Sequence, residues 1–106
     1  MPSDDMEDIS KDMLRTLTDL IIETTDPKVR ISLTNRHTKL ARHLHALADA
    51  KKLQQLADYR ELTSSFEAAR DAADEAKKDL SKTAEFIVRF DRLFRLLFKS
   101  GILAAA

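Results

Sequence analysis

From Tyr59 onward the chain keeps a seven-residue repeat that fixes its class. One position of the repeat holds Tyr59, Phe66, Ala73, Leu80, Ile87 and Phe94, and the other holds Leu62, Ala69, Ala76, Thr83, Phe90 and Leu97. Apolar residues spaced alternately three and four apart line up only on an α-helix. Sustained over several heptads, they mark helices packed lengthwise against one another. The turn formers agree. Gly101 is the single glycine, and Pro2 and Pro27 are the two prolines, in 106 residues. Such a chain lacks the turns of a sandwich or barrel and the Gly-rich loops that cradle nucleotides. The expected fold is all-α, an elongated helical bundle or antiparallel coiled coil of three helices, the last two long, forming a single domain over residues 1–106.

The helices are placed by their seams. Ser3 is a good N-cap, and Asp4, Asp5, Glu7 and Asp8 put negative charge where the helix dipole favours it. Met6, Ile9, Met13, Leu17, Leu20 and Thr24 then form the seam of a first helix over about 4–25. Asp26 and Pro27 punctuate the chain, the first as a cap and the second as a first helical residue that needs no amide hydrogen. Val29, Leu33, His37, Leu40, Leu44 and Leu47 form the seam of the second helix, and beyond Leu47 Lys51 and Gln54 interrupt it. Ser64 with Glu67 three residues later reads as a capping box, which sets the second helix at about 27–62 and the third at about 65–99. The rival is one continuous helix from Pro27 to Lys99, on the order of 110 Å long. Ser100-Gly101-Ile102 reads as a helix stop, and residues 100–106 as a frayed tail.

Eighteen bases balance eighteen acids, so the formal net charge is zero, which speaks against bulk polyanion binding but not against a local patch. The balance hides zones: −6 over residues 1–26, +6 over 27–52, −3 over 53–85 and +3 over 86–106. Asp5, Asp12, Asp19 and Glu23 share one flank of the first seam, and Lys28, Arg36, Lys39, Arg42 and His43 share one flank of the second. In an antiparallel hairpin these flanks face each other, so the first expectation is that the basic stretch pairs with helix 1. The second is a phosphate-contacting surface made by Lys28, Arg36, Lys39, Arg42, Lys51 and Lys52. That reading lacks interleaved aromatics for base stacking and a Gly-containing helix-turn-helix corner.

Little in the sequence points to chemistry. There is no Cys, which removes disulfides and thiolate metal sites and fits a reducing, cytoplasmic setting. His37, His43 and His45 lack the i, i+3 or i, i+4 spacing that puts two ligands on one helical face. His37 lies on the apolar seam, where a packed or register-setting histidine is expected. A pH-sensitive contact is the alternative there. No nucleophile elbow, P-loop or dinucleotide loop is present. Neither catalytic, metal-binding nor cofactor-binding residues are expected, and the protein is expected not to be an enzyme. The acidic N-terminus is unlike a signal peptide, and no apolar run is long enough to span a bilayer.

What remains is stickiness. Phe86, Phe90, Phe94 and Phe98 recur every fourth residue, and Ile87, Val88, Leu93, Leu96 and Leu97 widen the ridge. One hairpin partner would not cover so wide a surface, so a homo-oligomer is expected. Its interface would use Tyr59, Leu62, Phe66, Leu80, Ile87, Phe90, Phe94 and Leu97. Phe86, Arg89, Arg92, Arg95 and Phe98 form an alternative docking surface for another protein. The same segment, 86–99, has the apolar and basic faces of an interfacial membrane helix. The functional expectation is a small non-enzymatic assembly or adaptor protein that self-associates and binds a macromolecular partner. Nucleic-acid binding through residues 28–52 is the first alternative and peripheral membrane binding through 86–99 the second.

Overall fold

Two aspartates decide where the chain turns. In the computed structural model, which describes residues 6–47 and 59–99 (the side chains of 45 and 46 excepted), the helices are α1 (Met6–Glu23), α2 (Pro27–Leu47), α3 (Tyr59–Lys78) and α4 (Thr83–Lys99). Between α1 and α2, the Asp26 carboxylate accepts the amide of Lys28 at 2.9 Å, and the Asp26 carbonyl accepts the Arg30 amide at 3.0 Å. Between α3 and α4, Asp79 is extended at φ −146°, ψ 102°. Its carboxylate accepts the Ser81 amide at 3.1 Å and the Ser81 hydroxyl at 2.7 Å. A single 3₁₀ turn, Leu80–Lys82, leads from it into α4. Each carboxylate satisfies a backbone donor that the start of a helix leaves without a partner.

Four α-helices, not three, make up the described residues, and they are all-α throughout. The expected break at Ser64 is absent. Helix α3 runs through Thr63, Ser64 and Ser65, with the Thr63 hydroxyl donating to the Tyr59 carbonyl at 2.9 Å. Continuity keeps Leu62, Phe66, Ala69, Ala73 and Ala76 on one buried face, which a cap at Ser64 would split. The helix expected over 65–99 breaks instead at Asp79. The continuous 110 Å alternative fails for the same reason. The expected extension of the second helix to residue 62 lies partly outside the described residues, as do the Ser3 cap and the Gly101 stop.

The two hairpins, α1–α2 and α3–α4, lie side by side with both turns at one end. Helix α1 packs on α2 and on α3, and α3 packs on α4. Lys77 and Asp19, near the C-terminal ends of α3 and α1, meet at 3.1 Å. A pocket of about 350 Å³ separates Thr24–Asp26 from Leu80–Thr83, with Val29 and Ile87 in its wall. Thus α1 and α3 run parallel in one layer, and α2 and α4 run parallel in the other.

The core lies between the layers. Met6, Ile9, Met13, Leu17 and Leu20 of α1 meet Leu33, Leu40 and Leu47 of α2 and the buried faces of α3 and α4. The heptad phase survives within each helix, but Leu80 falls in the turn and is 42% exposed. The repeat therefore serves both arms of one hairpin. The Phe ridge is covered by this chain itself: Phe86, Phe90, Leu93, Phe94 and Leu97 are all buried. Phe90 stacks on Phe94 at 4.7 Å and meets Phe86 edge-on at 5.9 Å.

Candidate functional site: the surface between α2 and α4

The basic flank of α2 does not face α1. It faces α4, because the seam of α2 packs inward while Ser32, Arg36, Lys39 and His43 follow on the side where α4 runs. The expected pairing with helix 1 is corrected by the ion pairs themselves. Asp12 binds Arg15 on its own helix at 2.7 Å, and Asp19 binds Lys77 of α3. Arg36 reaches Asp91 of α4 instead, in a two-pronged contact with Nε at 3.0 Å from one carboxylate oxygen and Nη2 at 2.7 Å from the other. Its remaining nitrogen, Nη1, donates to the Ser32 carbonyl at 3.0 Å and hydroxyl at 2.6 Å. This guanidinium is fully engaged. Planar two-point pairing of this kind fixes the angle between the two helices as well as their attraction.

One turn further along α2 the character changes. The Lys39 ammonium lies 5.4 Å from the Phe94 ring centre and 5.8 Å from that of Phe98. His43 packs on the same two rings, at 6.1 Å and 5.9 Å. Burial against these rings lowers the His43 pKa below 6.5, and the nearby charges of Arg42 and Lys39 lower it further. The imidazole is thus held towards its neutral form. Asn35, Arg36, Thr38, Lys39, Arg42 and Asp91 line an open groove of about 380 Å³ beside it.

The charges along this surface are unequal in use. Arg36 and Asp91 cancel. Lys39 and Arg42 of α2, and Arg92, Arg95 and Lys99 of α4, have no carboxylate partner among the described residues. Arg95 follows Asp91 by one turn on the flank turned to α2. The groove on the other side of α4, about 540 Å³ over Ala68 and Ala72, is different. There Lys82 is paired with Glu75 and Arg89 with Glu85, so its charges are already satisfied.

Other expected site residues are dispersed. Leu62, Phe66, Phe90, Phe94 and Leu97, expected at an oligomer interface, lie in the core of the single chain. Tyr59 and Ile87 are half-buried against that core, and Leu80 is exposed at the turn. Of the expected docking set, Phe86 is buried, Phe98 is half-buried, and Arg89 is turned away from α2. Lys28 is exposed at the start of α2, and Lys51 and Lys52 lie outside the described residues. His37 is half-buried at the edge of its seam, and the side chain of His45 is not described. Among the described residues no cluster of three or more His, Asp or Glu side chains is arranged to hold a metal, and no helix is long and apolar enough to cross a membrane.

Sequence reasoning missed Asp91, the single acid after Glu85, whose position on the α4 flank opposite Arg36 was a usable signal. It also missed the Asp79-x-Ser81 cap, which repeats the local logic of Asp26. Chiefly it treated as two surfaces, the basic flank of α2 and the Phe/Arg end of α4, what the fold joins into one. No protein-family model, curated protein or solved structure matches the chain.

Proposed function

We propose that this protein is a non-enzymatic helical adaptor that docks an acidic segment of a partner protein on the surface between α2 and α4. The observation that carries this reading is the row of cations without carboxylate partners among the described residues, Lys39, Arg42 and Arg95, beside the half-buried rings of His43 and Phe98. Cations beside aromatic rings are a composition of interface anchors, and a groove flanked by cations that no carboxylate of the described residues answers favours carboxylates. A nucleic-acid backbone is a poorer fit. Arg36 is spent on Asp91, and Lys39 and His43 already pack on Phe94 and Phe98, which leaves those two rings poorly placed for bases to stack on. A bilayer is poorer still, because the apolar face of α4 points into the core.

The test is an amide-shift titration with a Glu-rich peptide carrying one aromatic residue, set against a short DNA duplex. The expected result is peptide-induced shifts at Lys39, Arg42 and Phe98, with affinity falling about tenfold in Lys39→Glu/Arg42→Glu, equivalent to about 1.4 kcal/mol. Binding of the duplex alone, weakening steeply with salt, would transfer the surface to nucleic acid. Indifference to both ligands would sink the reading.

A further inference from the structure

Charge is sorted by layer in this molecule. Helices α1 and α3, the parallel pair on one side, carry ten acids against six bases, a net of −4. Helices α2 and α4, the parallel pair on the other, carry two acids against nine bases, a net of +7. Crowding like charge on one face is unfavourable unless something answers it. Inside the molecule little does. Two ion pairs between described helices, Asp19–Lys77 and Arg36–Asp91, each join helices of the same layer.

The acidic side is partly unanswered too. Asp8, Glu23 and Asp74 are exposed and have no basic partner among the described residues. Asp12, Asp19 and Glu23 descend the flank of α1 that meets α3, as the Asp19–Lys77 contact shows. Glu67 and Asp74, seven residues apart, hold one rotational position on α3 next to that of Lys77.

We infer that the acidic α1/α3 layer of a second copy of this chain is a ligand of the basic α2/α4 layer. The inference rests on the reading of that layer as an acid-binding surface and names its occupant. Complementarity is its main support. The chain's 18 bases equal its 18 acids, and in the described helices the excess of acid and the excess of base stand on opposite layers, so the protein stays neutral however many copies are stacked. A surface tuned to a foreign polyanion has no need of an acidic face behind it. Size is the second support. Two helices of 17 to 21 residues laid side by side present a face on the order of 30 Å by 20 Å. That is slightly below the about 800 Å² per partner of a stable complex. Contact between unlike faces is heterologous, so it does not close on itself at two copies. The association is therefore weak, salt-sensitive and open-ended.

Sedimentation velocity across a dilution series tests it. In about 20 mM salt the average mass should rise past twice the monomer with concentration, and in about 0.5 M salt it should return to the monomer. Lys39→Glu/Arg42→Glu should be monomeric, and so should Glu23→Lys/Asp74→Lys. Each reverses exposed charges only, and far-UV circular dichroism confirms that each is folded. Mixed in equal amounts, the two variants should associate again, because each now carries the face the other lacks. The chain carrying all four substitutions should again self-associate. A wild-type chain that stays monomeric at low salt overturns the inference, as does a dimer that never grows or a folded pair of variants that ignore each other. If the wild type is monomeric yet binds the Glu-rich peptide, the acid-binding surface stands and only its occupant is wrong. If it does neither, both fall.

Discussion

Arg36 and Asp91 are the side chains that tie α2 to α4 most specifically. Their side chains are 21% and 39% exposed, between the surface pairs that contribute almost nothing and the buried pairs that are dominated by desolvation. A double-mutant cycle with Arg36→Ala and Asp91→Ala, read by urea denaturation, should give a coupling of about 1 kcal/mol. Zero coupling would mean the fork merely decorates a contact made by its neighbours. His43 gives a pH signature of definite sign. Its folded-state pKa lies below 6.5, so between that value and 6.5 the unfolded chain binds more protons than the folded one. Stability is therefore complete above pH 6.5 and declines as the pH falls through this window. His43→Gln should flatten that part of the stability–pH curve. An unchanged slope between pH 7.5 and 5.5 would show that another group is responsible.

The helical elements differ in what terminates them. Asp79 is already extended, and Leu80 occupies the first position of a helical turn, as Pro27 does at the start of α2. Leu80→Pro should therefore be tolerated or slightly stabilising, since the ring fits a first helical position and restricts the unfolded chain. Ser64→Pro, in the interior of α3, should cost about 3 kcal/mol. Thermal melts of the two variants separate the observed turn at 79–82 from the capping box at Ser64. Comparable losses in both would mean that the chain turns at neither place as described. A capping box such as Ser64 with Glu67 is a local signature that needs a helix end to act on. Burial of Leu62 and Phe66 on one face keeps α3 intact where the hydroxyls invite a break.

At the scale of the molecule, the two hairpins share one core, so damage in α4 is felt everywhere. Phe90 contacts both Phe86 and Phe94 and is fully buried, and Phe90→Ala should cost about 3–5 kcal/mol. Ile31→Ala, at a residue 62% exposed, should stay within about 0.5 kcal/mol. Hydrogen exchange should show the Phe90 variant loosening α1 and α2 as well as its own hairpin. Loosening confined to α3 and α4 would mean that the hairpins fold as separate units. The ridge looks too wide for one partner because α4 has more than one: α3 along one side and α2, through Arg36, Lys39 and His43, along the other.

The sequence by itself determined the helical class, the seams of α1 and α2, the heptad phase of α3 and α4, the turn at Asp26-Pro27 and the basic flank of α2. All of these depend on residues within one or two turns of each other, where a period of 3.6 or an Asp before a helix start carries the information. Only the tertiary structure decided that the heptads fold back at Asp79, that the Phe ridge is internal and that Arg36 answers to Asp91, 55 residues away. It alone placed α1 beside α3 and α2 beside α4. A stripe records how much surface a helix must bury, but not what buries it. A charged flank records its sign, but not which of several oppositely charged flanks it meets. Those choices rest on how four helices fill one core together, and no single segment contains them.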